Sequence, residues 1–345
     1  CALASKGLKV IILESGQMPK WNFNRYDLRV TAINLASQNT LMALGIWSRI
    51  AAMRISPFYE IEVWDERSTG RVLFQAAEAG LHNLGHVVEN SAVLLALHEK
   101  LAQQEVQVHY GVTVEKFDHN EGDIIVRITN GCSFQAKLLV GADGTDSCVR
   151  QLANINVDQR SYFQKAIVAQ VTTEISNNQT AYQRFLSTGP LAFLPITNNQ
   201  SSIVWSTDER ISDDLIRLPD NEFRQQLETA FQNRLGSIIS VTQRERFSVS
   251  SRHAKTYIGP RIALIGDAAH TVHPLAGLGA NQGILDAATL AELVIENVQQ
   301  QLDFGGRSML RRYERWRRTE NQLILDTLDG LYYWFRARNP TITRL

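Results

Sequence analysis

The chain has few cysteines, no excess of either charge and no long apolar run, and each shortage narrows what it can be. Only three cysteines, Cys1, Cys132 and Cys148, stand among its 345 residues. They show neither paired nor metal-ligand spacing, which argues against a disulfide framework and suits a reducing compartment. Lysine plus arginine and aspartate plus glutamate number 35 each, so the formal net charge is zero. Nothing global therefore argues for a nucleic-acid partner. No run is long enough to span a bilayer, and no internal repeat or low-complexity segment is found. The 44% hydrophobic and 20% charged residues are ordinary for a globular protein. The length suffices for two domains or one large one.

The opening CALASKGLKVIILESG reads as the end of a helix, a glycine stop at Gly7 and a buried strand. A domain seldom begins inside a helix that leads into a core strand, so a strand and a glycine-rich turn are expected ahead of Cys1. Val10 to Leu13 is continuous β-former, as in a parallel strand covered on both faces. It ends in Glu14, the place where the second strand of a βαβ unit holds a nucleotide's ribose hydroxyls. The segment 29–47 reads as helical from about Ala32, with a stop at Gly45. Segments 61–65 and 71–75 read as strands around a turn at Ser68-Thr69-Gly70, and 91–104 as an amphipathic helix. A strand series follows, then an apolar strand over 136–144 that runs into a glycine turn. Between about 160 and 251, short strands interrupted by one helix, NEFRQQLETAFQNRL, read as antiparallel sheet. RIALIGDAAH returns to buried parallel strand, and the chain after Gly283 is helical.

Three distant segments place an acid or a glycine turn at the end of an apolar strand. They are Glu14 to Arg29, VGADGTDSCVR (140–150) and GDAAHTVHPLAGLGANQG (266–283). In an open α/β sheet such ends line one crevice. Asp267 is placed to accept a hydrogen bond from a sugar-like hydroxyl. Pro274 stiffens the loop, and Gly277 and Gly279 let the backbone approach a flat ligand. The helix starting near Asn281 turns its positive end to the same place, which favours a phosphate or a reduced ring system. His270 and His273 lie three apart, yet no carboxylate or cysteine close in sequence completes a metal site, so no metal is expected. No Ser-His-Asp logic is visible.

GDAAHTVHPLAGLGANQGILDA resembles the GD motif of the aromatic-ring flavoprotein monooxygenases, and VGADGTDSCVR resembles their DG motif. Within that family, DLRVTAINLAS, LGHVVENSAV, RFLSTGPLAFLPI, SIVWS and LRRYERWRR are most similar to the bacterial ubiquinone-biosynthesis hydroxylases. The resemblance covers nearly the whole chain. It implies an α/β architecture with a Rossmann-like FAD-binding domain (1–50, 86–159 and 252–300). An inserted, mainly antiparallel β-sheet substrate domain (51–85 and 160–251) and a C-terminal helical segment (301–345) complete it. FAD is the implied cofactor and NAD(P)H a transient reductant. By resemblance, Glu14 holds the adenosine ribose and Arg29 sits near the FAD phosphates and ring. Asp143 and Gly144 form the DG turn, with Arg150 supporting it. Asp267 binds ribityl hydroxyls, and Pro274 lies close to the flavin face. Gly277 lets the backbone approach, with Gly279, Ala280 and Asn281 near the carbonyl edge. No catalytic side chain is assigned. Leu278 stands where the family commonly has Gln, and the family usually continues beyond Leu345.

The implied reaction is hydroxylation of the aromatic ring of a polyprenylphenol intermediate in ubiquinone biosynthesis, with O2, through a flavin hydroperoxide. Two alternatives are a flavin hydroxylase of a soluble phenolic compound and a non-catalytic subunit of a biosynthetic complex. The last helix carries Arg311, Arg312, Arg315, Arg317 and Arg318, then apolar and aromatic residues from Leu323 to Phe335. It reads as a solvated basic face followed by a packing face, or as a contact with a membrane surface or a partner protein. The expected location is cytoplasmic, with any membrane contact peripheral, at the inner membrane.

Overall fold

A computed structural model describes residues 1–67, 70–274 and 277–336. The expected turn at Ser68-Thr69-Gly70 thus falls mostly outside the described residues. A 3-10 turn over Ala4–Lys6 ends at Gly7, whose φ is +79°. The chain continues with β1 (Ile11–Glu14), β2 (Val30–Asn34), α1 (Leu35–Ala43), α2 (Trp47–Met53) and β3 (Ile55–Phe58). Then come β4 (Glu60–Asp65), β5 (Arg71–Gln75), β6 (Gly85–Glu89) and α3 (Asn90–Gln103). The helix expected from about Ala32 therefore begins later. Val30, Thr31 and Ile33 are β-branched and pair with β6. Helix starts only once the Asn34 side chain caps it by accepting the Ser37 N–H.

A strand series follows: β7 (Gln107–Tyr110), β8 (Val114–Asn120), β9 (Asp123–Ile128), β10 (Ser133–Ala136) and β11 (Leu139–Gly141). The single strand expected over 136–144 is divided. β10 closes a meander against β9, and β11 joins a different sheet. After α4 (Cys148–Leu152) come β12 (Val157–Thr173), β13 (Thr180–Leu186), β14 (Gly189–Thr197) and β15 (Gln200–Asp208). Two helices rather than one follow, α5 (Glu209–Leu215) and α6 (Asp220–Ala230). The first, ERISDDL, is short and polar and carries little periodic signal. The chain ends with β16 (Ile238–Val241), β17 (Glu245–Ala254), β18 (Ile258–Gly259), β19 (Ile262–Leu264), β20 (His270–Thr271), α7 (Gly279–Gln299) and α8 (Arg307–Arg336).

β11 and β19 pair in parallel, with Gly141 opposite Leu264. β1 pairs in parallel with β7. Both pairs share one core, in which Leu13 and Val140 pack with Val149, Leu264 and Tyr313. The nine-stranded sheet runs β20-β17-β12-β15-β14-β13-β4-β5, with β16 also on β12. Its pairs are antiparallel except β13 with β4. One face is covered by α5 and α6 through Leu215, Phe223 and Leu227. The other meets α8 and the Val272 loop through Tyr162, Phe185, Leu325 and Leu328. Among the described residues, no helix is long and apolar enough to cross a membrane.

The β11–β19 contact leaves no room beside Gly141. A Cβ there would lie 2.7 Å from Leu264 Cδ2 and 3.0 Å from Val149 Cγ1. Gly141→Ala is expected to cost ~1–3 kcal/mol through overpacking. A lower denaturant midpoint at unchanged slope would report it.

Candidate functional site

The turns after β11 and β19 are bolted together. Arg150, 5% exposed, donates through Nη1 to the Ala268 carbonyl at 2.8 Å and through Nη2 to the Thr145 carbonyl at 2.8 Å. Thr145 Oγ1 faces Asp267 Oδ2 at 3.5 Å. Two of the three segments singled out in sequence are thus neighbours. Glu14 shares their core through Leu13, but among the described residues no hydrogen bond or ion pair joins it to either turn. One of its oxygens accepts the Gly16 N–H at 2.6 Å.

The acids in these turns differ in availability. Asp143 is spent on its own turn. It accepts from the Ser147 hydroxyl, from the Val149 N–H at 3.0 Å and from Cys148 Sγ at 3.1 Å. Burial pushes its carboxyl up, yet these bonds together outweigh burial and hold it below its usual range. Gly144, at φ +79°, makes the sharp reversal that lets α4 start there. Asp267 is the opposite case. Its side chain is exposed, yet protein encloses it closely enough for burial to raise its carboxyl, against the pull of His270 and Thr145. Asp267 thus keeps an accessible carboxylate beside the Arg150-held turn.

Beyond Asp267 the chain reaches α7. The Pro274 carbonyl faces the Gly277 N–H at 3.4 Å. Gly277 has φ +60°. α7 then starts at Gly279 with no side-chain cap, so its first N–H groups, on Gly279, Ala280 and Asn281, have no partner further along the helix. Asn281, 1% exposed, does not offer its side chain to a ligand. Its amide accepts the Asn34 N–H at 3.0 Å and donates to the carbonyls of Ala32 at 2.8 Å and Gly277 at 3.1 Å. It clips the start of α7 to β2.

Arg29 precedes β2 on an exposed position, and its guanidinium makes no hydrogen bond or ion pair among the described residues. The segment before it is held from behind. Buried Glu89 accepts from Trp21 Nε1 at 3.0 Å, the Asp27 N–H at 2.6 Å and Arg54 at 2.9 Å. Arg54 in turn donates to the carbonyls of Asn22, Phe23 and Arg25. A small cleft of about 80 Å³ opens beside this pair, between Tyr26, Val30, Ser56 and Ile196.

Sequence reasoning missed Asp286, which lies behind the Asp267 turn and is fully buried. It also treated Arg317 as part of a solvated basic face. Arg317 is 2% exposed and bonded to Asp286 at 2.7 Å, whereas Arg311, Arg312 and Arg315 are exposed. His270 bonds Asp286 at 2.6 Å. No group of three or more His, Cys, Asp or Glu able to hold a metal ion occurs among the described residues.

His273, one residue before Pro274, is 1% exposed and packs on Tyr162 at 4.8 Å between ring centroids. Burial pushes its imidazole down to about 4 from 6.5. The unfolded chain therefore takes up a proton at His273 that the folded one refuses. Stability from this source is complete above pH 6.5 and falls as pH drops towards 4, by at most ~3 kcal/mol. His273→Asn is expected to flatten the acid limb of a stability–pH curve in that window. His253 and His86, also lowered by burial, leave a residual slope of the same sign.

FAD needs an acceptor for sugar hydroxyls, donors for its anionic parts and backbone that admits a flat ring. The accessible carboxylate of Asp267, the uncapped start of α7 and the left-handed Gly277 fit those needs. Comparison with known proteins agrees. The FAD binding domain family matches residues 1–327. The chain is 32% identical over 342 residues to the 3-demethoxyubiquinol 3-hydroxylase of Escherichia coli (strain K12), covering 99% of this chain and 87% of that protein. It is 34% identical over 336 residues to the ubiquinone hydroxylase UbiL of Rhodospirillum rubrum, covering 97% and 78%. The fold matches Pseudomonas aeruginosa PqsL in complex with 2-aminobenzoylacetate at TM-score 0.82 and 21% identity, covering 98% and 92%. The chain belongs to the FAD binding domain family, among its FAD-dependent aromatic-ring monooxygenases.

Proposed function

We propose that the protein hydroxylates the aromatic ring of a polyprenylphenol intermediate in ubiquinone biosynthesis, with NAD(P)H as reductant. The balance is one C–H, O2, NAD(P)H and a proton converted to one C–OH, water and NAD(P)+. The observation that carries this reading is the joined pair of turns around Asp267, on a chain that aligns over 99% of its length with a 3-demethoxyubiquinol 3-hydroxylase. Bound FAD supplies hydride acceptance and O2 activation. The protein supplies position and charge. Asp267 would accept from the ribityl hydroxyls of bound FAD, and the N–H groups at the start of α7 would stabilise negative charge on it. Glu14 would hold the adenosine ribose, and the guanidinium of Arg29, which has no partner among the described residues, would serve the phosphates. Asp143 and Asn281 act through the backbone they hold. Val272 and Leu278, which pack in one apolar cluster with the sheet and α8, would border the substrate side of bound FAD.

The test uses the full chain with FAD, NADH or NADPH and 18O2. A prenylated phenol is expected to gain one labelled oxygen. Turnover of a tail-less phenol with none of the prenylated one would favour the soluble-substrate alternative. Failure to take up FAD would overturn the reading.

A peripheral membrane contact belongs to the same proposal. On α8 the side chains of Trp316, Leu323, Tyr333 and Trp334 are exposed, and so are those of Arg311, Arg312 and Arg315 earlier on the same helix. Co-sedimentation with anionic-lipid vesicles is expected, and Leu323→Asp with Trp334→Asp should weaken it at least tenfold. Equal binding by this double variant would remove α8 as the contact.

A further inference from the structure

Asp286 lies on the buried side of α7, and its two oxygens are divided between two tasks. Oδ2 accepts the Gly266 N–H at 3.0 Å and His270 Nε2 at 2.6 Å. Gly266 opens the 3-10 turn Gly266–Ala268 that carries Asp267, and His270 lies two residues past its end. One oxygen therefore ties the start of the turn to the chain just past it. Oδ1 accepts Arg317 Nε at 2.7 Å and Asn321 Nδ2 at 3.1 Å, both from α8. The guanidinium is in turn held by Gln282 at 3.0 Å, by Asn321 at 3.1 Å and by Glu320. One turn away on α8, Tyr313 donates to the Leu264 carbonyl at 2.7 Å, at the end of β19.

A buried ion pair is a costly way to fill a core, since apolar residues of similar volume often do as well. What apolar residues cannot do is fix the direction of a carboxylate that grips two points of a turn. Arg317 has the planar fork that sets such a direction. Burial pushes the Asp286 carboxyl up, and the bonds from His270 and Arg317 outweigh it, so the carboxylate is ionised behind the turn.

We propose that Arg317 is a positioning residue for the cofactor turn. It acts through Asp286, so that the C-terminal helix sets how tightly Asp267 can hold FAD. This rests on the reading that Asp267 faces the flavin. A ligand-holding group displaced by about 1 Å loses much of its worth, so the effect should appear in flavin affinity.

The test is a double-mutant cycle on the full chain, read as the FAD dissociation constant from quenching of free flavin fluorescence. Melting of each apo-protein is measured alongside. Arg317→Met is expected to weaken FAD binding ~30-fold, and Arg317→Lys, which keeps the charge without the fork, ~5-fold. In an Asp286→Asn background, Arg317→Met should add less than twofold, because its route is already cut. Full multiplication of the two losses would overturn the proposal. So would unchanged FAD affinity in a variant whose apo-protein melts lower, since that is a packing role alone. If Arg317→Met does not fold, Arg317→Lys decides, and wild-type affinity there overturns the proposal. Asp267→Ala is the control: if it alone leaves affinity intact, the underlying site reading fails and not the coupling.

Discussion

Asp267→Ala is expected to give a folded protein that no longer retains FAD through purification. The side chain is exposed, and among the described residues its one hydrogen-bond partner is Thr145 Oγ1 at 3.5 Å. Truncation therefore removes little packing, and the melting temperature of the apo-protein should stay within ~1 °C of wild type. The cofactor loses a hydrogen bond to a charged group, worth ~1.5–3 kcal/mol. That corresponds to roughly ten- to hundredfold in affinity. Flavin absorbance per mole of purified protein, followed by FAD titration, measures it. A variant as yellow as wild type would take Asp267 out of the site.

Glu89→Leu should produce the largest loss of stability of any single change considered, ~3–5 kcal/mol, because it leaves Arg54 partly buried beside an apolar side chain. Arg54 is 18% exposed and Glu89 2%. The Asp27 N–H and Trp21 Nε1 lose their acceptor at the same time. The segment from Ser15 to Leu28, which contains little regular structure, is tied down mainly by this pair and by aromatic rings around the guanidinium, Tyr26 at 4.2 Å and Trp21 at 4.9 Å. Limited proteolysis should then cut within it. Adding Arg54→Met should recover most of the stability. A double variant no more stable than Glu89→Leu alone would show that the carboxylate's bonds to the backbone matter more than the charge pair.

The strand-end turns were legible because glycines and acids after apolar runs carry their own signal. What the acids do with their oxygens was not. Asp143 and Asp267 look alike in sequence, yet three donors consume the first and leave the second open. Those donors, Ser147, Cys148 and Val149, come from the following helix start, and their geometry is a matter of ångströms. The stretch from Ala32 reads as helix because Asn34 looks like an interior polar residue until its cap is seen. Asp286 could have been suspected, being a lone acid in the run ILDAATLA. Arg317 could also have been separated from its neighbours by helical phase. It lies four residues after Tyr313 and four before Asn321, both buried. Which face of α8 meets the body was the missing fact.

The joined turns also constrain how the chain matures on the ribosome. Arg150 waits 118 residues for the carbonyl it holds, and β12 to β17, most of the nine-stranded sheet, are translated in the interval. Contacts so distant in sequence are slow to close. A nascent chain halted before Arg317 has the acid, the glycines and the turn, but Asp286 still lacks its counter-ion. On the proposed coupling, the place for the flavin would be finished only when α8 leaves the exit tunnel.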